Sequence, residues 1–255
     1  MTGESAVRPG FPALAPGRVH RWGGAALLVA RRSGPYRPPP LSGAERRVLE
    51  ALPAWRRAEW TRGRLLAKRL VGEALSVPPG EVEVLPCDDG SPRVVVGGVP
   101  MPAVHVSISH TARHVAAALA PDPVGVDLCE TASAAAVRRV ADHVLSPGEL
   151  SLVAAAGAGA EVAAWALKEA AVKADRRSVF GAAARGVVLL GLRPPLLGGR
   201  RRAMVWRADD TVLALVLAHR PAGAPLPAEL RWCSLPRRMM LVSGAPGRAG
   251  PVGQR

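Results

Sequence analysis

The alternation of apolar and polar positions sets out the order of elements along the chain. "GGAALLVA" at 23–30 is a short apolar run that predicts a strand. Helical patterns follow at roughly 43–52 and 54–75, divided near Pro53; Ser42 with Glu45 three residues on gives the first of them a capping box. "EVEVLPCDDGSPRVVV" at 81–96 predicts a strand, a turn at 88–92 and a second strand. At 104–120, Val104, Val106 and Ile108 alternate with His105, Ser107 and Ser109, then a turn and a second apolar run complete a hairpin. "PVGVDLCE" at 123–130 has period two, which sets Asp127 and Cys129 on one face of a strand and Glu130 on the other. An alanine- and leucine-rich run predicts a long helix over roughly 159–176, and "AMVWRADDTVLALVLAH" at 203–219 has the shape of another hairpin.

Each half of the chain thus reads as a long helix followed by a hairpin. The pattern predicts an α+β fold of two similar α/β lobes, related by a pseudo-twofold and meeting near residues 121–124. The expected division is a loose segment at 1–20, an N-terminal lobe at 21–122, a C-terminal lobe at 123–235 and a loose tail at 236–255. Both ends are rich in Gly, Pro and Arg without periodicity.

Composition narrows the class. With 255 residues and 49% hydrophobic content the chain can bury a sizeable core. No stretch approaches the ~20 consecutive apolar residues of a membrane span, and the first residues carry Pro and Gly where a signal peptide needs its apolar run, so a cytoplasmic protein is expected. Cys87, Cys129 and Cys233 are odd in number and far apart, which offers neither a disulfide framework nor a CxxC site. The net charge of +14 invites a nucleic-acid reading. However, only three of the 34 basic residues are lysines, so the charge reflects a chain-wide arginine preference, and aromatics for base stacking amount to 4%. Against that background Lys68, Lys168 and Lys173 stand out, since a lysine retained among so many arginines has a reason to be there.

Two stretches carry candidate chemistry. In "AAWALKEAAVKA" at 163–174, Trp165, Glu169 and Lys173 form one helical stripe with Lys168 beside it. Alone, this also fits a surface helix with a Glu–Lys pair contributing roughly 0.3–0.5 kcal/mol. In "SISHT" at 107–111, Ser109 and His110 sit where a strand enters a turn, as a phosphate grip or as a plain hydrogen-bonded turn. His110 and His114 lack a third ligand for zinc. A serine hydrolase is excluded because adjacent strand residues face apart and no G-x-S-x-G elbow exists.

Taken in order, "SISHT", "GVDLCE" and "WALKEAAVKA" resemble the signature of the 4′-phosphopantetheinyl transferases, in the long, two-lobed class that includes the surfactin-synthetase activator. "LSGAERR", "RGRLLAKRL" and "DDGSPR" extend the likeness upstream, over roughly residues 40–220. The resemblance implies an enzyme of the holo-[acyl-carrier-protein] synthase type. It would move the phosphopantetheine arm of coenzyme A to a serine of an acyl or peptidyl carrier protein and release adenosine 3′,5′-bisphosphate. It implies Mg²⁺, with Mn²⁺ as a substitute, held by Asp127 and Glu169. Glu169, or a water it orients, would be the base, and Lys173 would neutralise the pyrophosphate with Lys168 in the same field. Ser109, His110, Arg64 and Arg57 would hold the 3′-phosphate.

Carrier proteins in fatty-acid, polyketide and nonribosomal peptide synthesis are typically acidic, which suits a basic partner. A monomer, with neither membrane nor nucleic acid as partner, is expected. Two positions depart from the family: Ser91 stands where relatives carry the lysine of a G-K-P turn, with Arg93 as a possible substitute, and Cys129 stands where many carry a second acid. The alternatives are a basic nucleic-acid-binding protein, or a catalytically weak homologue that binds coenzyme A or a carrier.

Overall fold

A computed structural model of the chain describes residues 11–33, 40–176 and 182–218. The first half runs β1 (Val19–Trp22), β2 (Ala25–Arg31), α1 (Gly43–Ala51), α2 (Ala54–Leu75), β3 (Val82–Pro86), β4 (Pro92–Val96), β5 (Val99–Pro100), β6 (His105–His110) and β7 (His114–Ala120). The second half runs β8 (Val124–Glu130), α3 (Ala134–Val144), α4 (Pro147–Ala156), α5 (Ala160–Ala174), α6 (Ala182–Arg185), β9 (Leu189–Leu192), β10 (Pro195–Leu197), β11 (Arg201–Ala208) and β12 (Thr211–Ala218). The two larger sheets have the orders β1-β2-β7-β6 and β11-β12-β8, while β3-β4-β5 and β9-β10 form small separate sheets.

Strand alternation explains why these elements stack. In β7, Val115, Ala117 and Leu119 join a core with Leu66, Leu70 and Val71 of α2, while Ala116, Ala118 and Ala120 turn the other way. There they meet Val124, Val126 and Leu128 of β8 and Leu213, Leu215 and Leu217 of β12. The remaining face of β12, carrying Val212, Ala214 and Val216, packs with Val162, Ala163, Ala166 and Ala170 of α5. The order is therefore helix, sheet, sheet, helix, with three apolar layers between. Trp22 and Trp206 meet edge to face at 6.1 Å beside the middle layer.

Each long helix is anchored by a buried lysine. Ser42 caps α1 and Glu45 completes the capping box. Glu45 Oε2 takes Lys68 Nζ at 2.7 Å, Oε1 accepts Val84 N–H at 2.9 Å, and Lys68 also reaches Pro40 O at 2.9 Å. In the second half Ser146 and Glu149 form a capping box on α4. Lys168 Nζ donates to Glu149 Oε2 and to Val144 O, both at 2.8 Å, and Leu189 N–H donates to Glu149 Oε1 at 2.7 Å. Burial, which would by itself raise the Glu149 carboxyl, is outweighed by these donors, and its pKa lies below the usual value.

Several expectations change. Residues 11–20 are held rather than loose: Leu14 is buried, its N–H donates to Arg207 O at 2.8 Å, and Arg207 N–H donates to Pro12 O at 2.9 Å. The second half also holds α3, α4 and the β9–β10 pair, which the sequence pattern did not separate. The segments 1–10 and 236–255 and Cys233 lie outside the described residues. Among the described residues no helix is long and apolar enough to cross a membrane.

Candidate active site

The site forms where β8 runs along the edge of its sheet beside β6. β12 hydrogen-bonds one edge of β8, leaving the N–H and C=O groups of Val126 and the N–H of Leu128 on the other. Side chains satisfy them: Ser107 Oγ accepts Val126 N–H at 3.0 Å, Ser109 Oγ accepts Leu128 N–H at 3.1 Å, and Lys173 Nζ donates to Val126 O at 3.2 Å.

Asp127 projects between these groups toward α5. Its Oδ1 accepts from Lys173 Nζ at 2.7 Å and from the Ser109 hydroxyl at 2.9 Å. A glycine makes the approach possible. A Cβ on Gly125 would lie 1.8 Å from Ala170 O and 2.6 Å from Ala174 N, so only Gly lets α5 rest on β8 here.

Glu169, one turn before Lys173, is half-buried with no hydrogen bond or ion pair among the described residues. Burial and the nearby Asp127 charge push its carboxyl up to about 7, with Lys173 pulling weakly the other way. Cys129 shares the Asp127 face, as the period predicts. Burial, then Asp127 and Glu130, raise its thiol to about 12, which keeps it protonated and poor as a ligand for a hard cation. Glu130 turns to the opposite face and accepts Arg113 N–H at 3.1 Å.

Two carboxylates are the oxygen donors this region offers; among the described residues no group of three or more His, Cys, Asp or Glu could hold a metal. They suit Mg²⁺, which takes one or two protein carboxylates and completes its octahedron with phosphate and water. A raised carboxyl beside a second carboxylate is an arrangement that a divalent cation relieves.

A cleft of about 520 Å³ opens from Lys173 between the two halves. Its walls are α2 and β6 on one side and Pro123, Val124 and the end of α5 on the other, with the 89–92 turn at the rim. Arg56, Arg64, Lys173 and Arg176 line it against Glu59 and Asp89. Arg64 lies over the Trp60 ring at 4.8 Å, and its Nε is buried without a partner. Burial brings its pKa down to about 10, with Glu45 opposing and Arg56 reinforcing the shift. A desolvated guanidinium with an unused donor is a receptor for an anion.

The remaining candidates divide. His110 lines the cleft and meets Glu59 Oε2 at 3.0 Å. Ser109 is buried against Asp127 and outside the cleft lining. Arg57 lies outside it as well, donating to Leu52 O at 2.9 Å and Glu50 O at 3.0 Å at the end of α1. Lys168, expected beside Lys173, is wholly buried on another face of α5 and belongs to the Glu149 strut. Arg93 is exposed outside the cleft lining, and Ser91 is tied to Asp89 by hydrogen bonds of 2.9 and 2.6 Å. The sequence reading missed Arg56, Trp60, Arg176 and Ser107. The first two were accessible to it, since Arg56, Trp60 and Arg64 are spaced four apart along one helix face.

Residues 123–189 match the family model of the 4′-phosphopantetheinyl transferase superfamily. The match begins just before β8, takes in Asp127, Glu169 and Lys173, and ends at the first residue of β9. Phosphopantetheinyl transfer in general is the chemistry this stretch supports. No curated protein matches the chain.

Proposed function

We propose that this protein is a 4′-phosphopantetheinyl transferase of the long, two-lobed class, which charges a serine of an acyl or peptidyl carrier protein from coenzyme A. The observation that carries the reading is the cluster of Asp127, Lys173 and a half-buried Glu169 within the matched stretch; Lys173 lines the cleft with Arg56, Arg64 and Arg176, while Asp127 and Glu169 sit behind it outside the lining. The lobe division at 21–122 and 123–235 is supported by the capped helix that leads into a long helix in each half, with α3 as an addition in the second, and by the two buried lysine struts. We read the protein as a cytoplasmic monomer.

In the proposed reaction the carrier serine oxygen attacks the phosphorus that bears the pantetheine. A new O–P bond forms, the P–O bond to adenosine 3′,5′-bisphosphate breaks, and the serine proton passes to Glu169 or to a water that it orients. Lys173 neutralises charge growing on the departing phosphate, and Arg64, Arg56 and His110 hold the nucleotide phosphate in the cleft. Mg²⁺, held by Asp127 and Glu169, would supply charge neutralisation at the pyrophosphate.

Incubation with coenzyme A, Mg²⁺ and apo carrier domains, followed by mass spectrometry of the carrier, tests the reading. The carrier should gain the mass of one phosphopantetheine arm. Asp127→Ala should reduce the rate by about two orders of magnitude or more, as expected when transition-state charge loses its stabiliser. Glu130→Ala and Cys129→Ser should remain near the parent rate. No gain across fatty-acid, polyketide and peptide-synthetase carriers would overturn the proposal.

A further inference from the structure

Ser109 occupies the position at which the family resemblance calls for a phosphate grip, yet its hydrogen bonds lead elsewhere. A serine hydroxyl has one proton. Here that proton goes to Asp127 Oδ1 at 2.9 Å, and a lone pair takes Leu128 N–H at 3.1 Å. The side chain is 5% exposed and lies outside the cleft lining, so reaching a phosphate would mean leaving a buried carboxylate short of a donor. His110, the next residue, points to the opposite side of β6 and lines the cleft.

We infer that Ser109 is a positioning residue for Asp127: together with Lys173 it occupies Oδ1 and so leaves Oδ2 as the oxygen offered to a divalent cation. The inference rests on the transferase reading for the identity of the cation. Its physical basis is separate. A carboxylate held at one oxygen by a hydroxyl and an ammonium has lost rotation about its last torsion, and second-shell hydrogen bonds of this kind commonly govern metal affinity by 10–100-fold. Ser107 supplies an internal control. It accepts the neighbouring edge N–H, that of Val126, at 3.0 Å and makes no hydrogen bond to Asp127. Loss of either hydroxyl therefore leaves one backbone N–H of β8 without its acceptor, whereas only loss of Ser109 takes a hydrogen bond from the carboxylate and leaves Lys173 to hold it alone.

The test uses the full chain and its Ser109→Ala, Ser109→Thr, Ser109→Cys and Ser107→Ala variants. Mn²⁺ binding is read from the free-ion electron paramagnetic resonance signal at saturating coenzyme A, coenzyme A binding by calorimetry in EDTA, and folding by thermal melts. Ser109→Ala should weaken Mn²⁺ binding about tenfold or more. Its affinity for coenzyme A in EDTA should stay within about twofold of the parent. Ser109→Thr retains the hydroxyl and should recover most of the metal affinity. Ser109→Cys, nearly isosteric but a weak donor, should fall between and provides the comparison if the alanine variant does not fold. Ser107→Ala should lower the melting temperature about as much as Ser109→Ala while leaving Mn²⁺ affinity at the parent value.

Three results would overturn the inference: a tenfold loss of coenzyme A affinity in EDTA with unchanged Mn²⁺ binding, an equal Mn²⁺ loss in Ser107→Ala, or a parent protein that binds no Mn²⁺. A parent that binds Mn²⁺ and charges no carrier would defeat the transferase reading alone, and the variants would still judge Ser109.

Discussion

The helices α2 and α5 are mounted alike and used differently. Each follows a capped helix, and each has its lysine drawn to a buried glutamate that also accepts a strand N–H: Lys68 to Glu45, Lys168 to Glu149. Counting on from each lysine, the first and fifth positions are Arg69 and Glu73 in α2, Glu169 and Lys173 in α5. The former pair close on one another at 2.7 Å at the surface. The latter do not, because Asp127 projects from β8 into reach of Lys173 and takes its ammonium. Facing α2, β7 offers Val115, Ala117 and Leu119. Past the lysine, one mounting thus carries a surface ion pair on α2 and a charged site on α5, while the earlier turns of α2 line the cleft; the difference past the lysine comes from one strand residue and from the glycine that lets α5 come close.

If the two struts are equivalent scaffolding, Lys68→Ala and Lys168→Ala should be the most damaging changes, and alike. Each leaves a buried carboxylate without its partner, at a cost of about 3–5 kcal/mol. Lys173→Ala should cost less, about 1–3 kcal/mol, since Asp127 keeps the Ser109 hydroxyl when the partly exposed ammonium is removed, while transfer collapses. Urea unfolding of the three variants measures this. A stable, folded Lys168→Ala protein with slowed transfer would show that Lys168 belongs to the site and that the two mountings differ.

A smaller effect separates the two glycine contacts. On Gly125 a methyl would meet backbone atoms of α5 that cannot step aside, so Gly125→Ala should cost about 1–3 kcal/mol and pull Glu169 and Lys173 out of line. On Gly63 of α2 it would meet Cγ2 of Ile108 at 2.8 Å, a branch one bond from Cβ that moves only with χ1 or with the strand. The helical gain of alanine over glycine, up to about 1 kcal/mol, offsets part of that clash, so Gly63→Ala should cost less than Gly125→Ala. Melting curves and carrier-charging rates taken together decide. Equal losses in both would mean that the close approach of α5 is not special to the site.

Much of this was legible in local pattern. The capping box of Ser42 and Glu45, the facing of Asp127 and Cys129 away from Glu130, and the stripe of Glu169 and Lys173 all follow from period and spacing, and all recur in the structure. The failures involve partners from other elements. Retention of Lys168 among so many arginines signalled a purpose, but the purpose depends on Glu149 of α4, a helix whose own capping box at Ser146 went unread. Ser109 and His110 were grouped as one grip although neighbours on a strand face apart; only His110 reaches the cleft. Arg57 lies one step off the stripe that Arg56 and Arg64 share, and only the latter two line the cleft. The need for Gly125 lies in the carbonyl of Ala170, which no local pattern announces.

The finest contrast between the helices is in how each responds to pH. Without metal, Glu169 titrates near 7 in the folded protein, raised from the ordinary 4.5 by burial and by Asp127. Between those values the native state holds a proton that the unfolded chain has released. Stability from this group is therefore present below about pH 4.5 and declines as pH rises toward 7. Glu169→Gln removes the ionisation. In EDTA it should match the parent near pH 4 and become progressively the more stable of the two by pH 8, in urea titrations at each pH. Arg69→Ala, at the corresponding position of α2, opens only an exposed pair worth about 0.3–0.5 kcal/mol and should show no such divergence across this window. Parallel curves for Glu169→Gln and the parent would mean that water reaches Glu169 as freely as it reaches Glu73, and the electrostatic difference between the two helix faces would be lost.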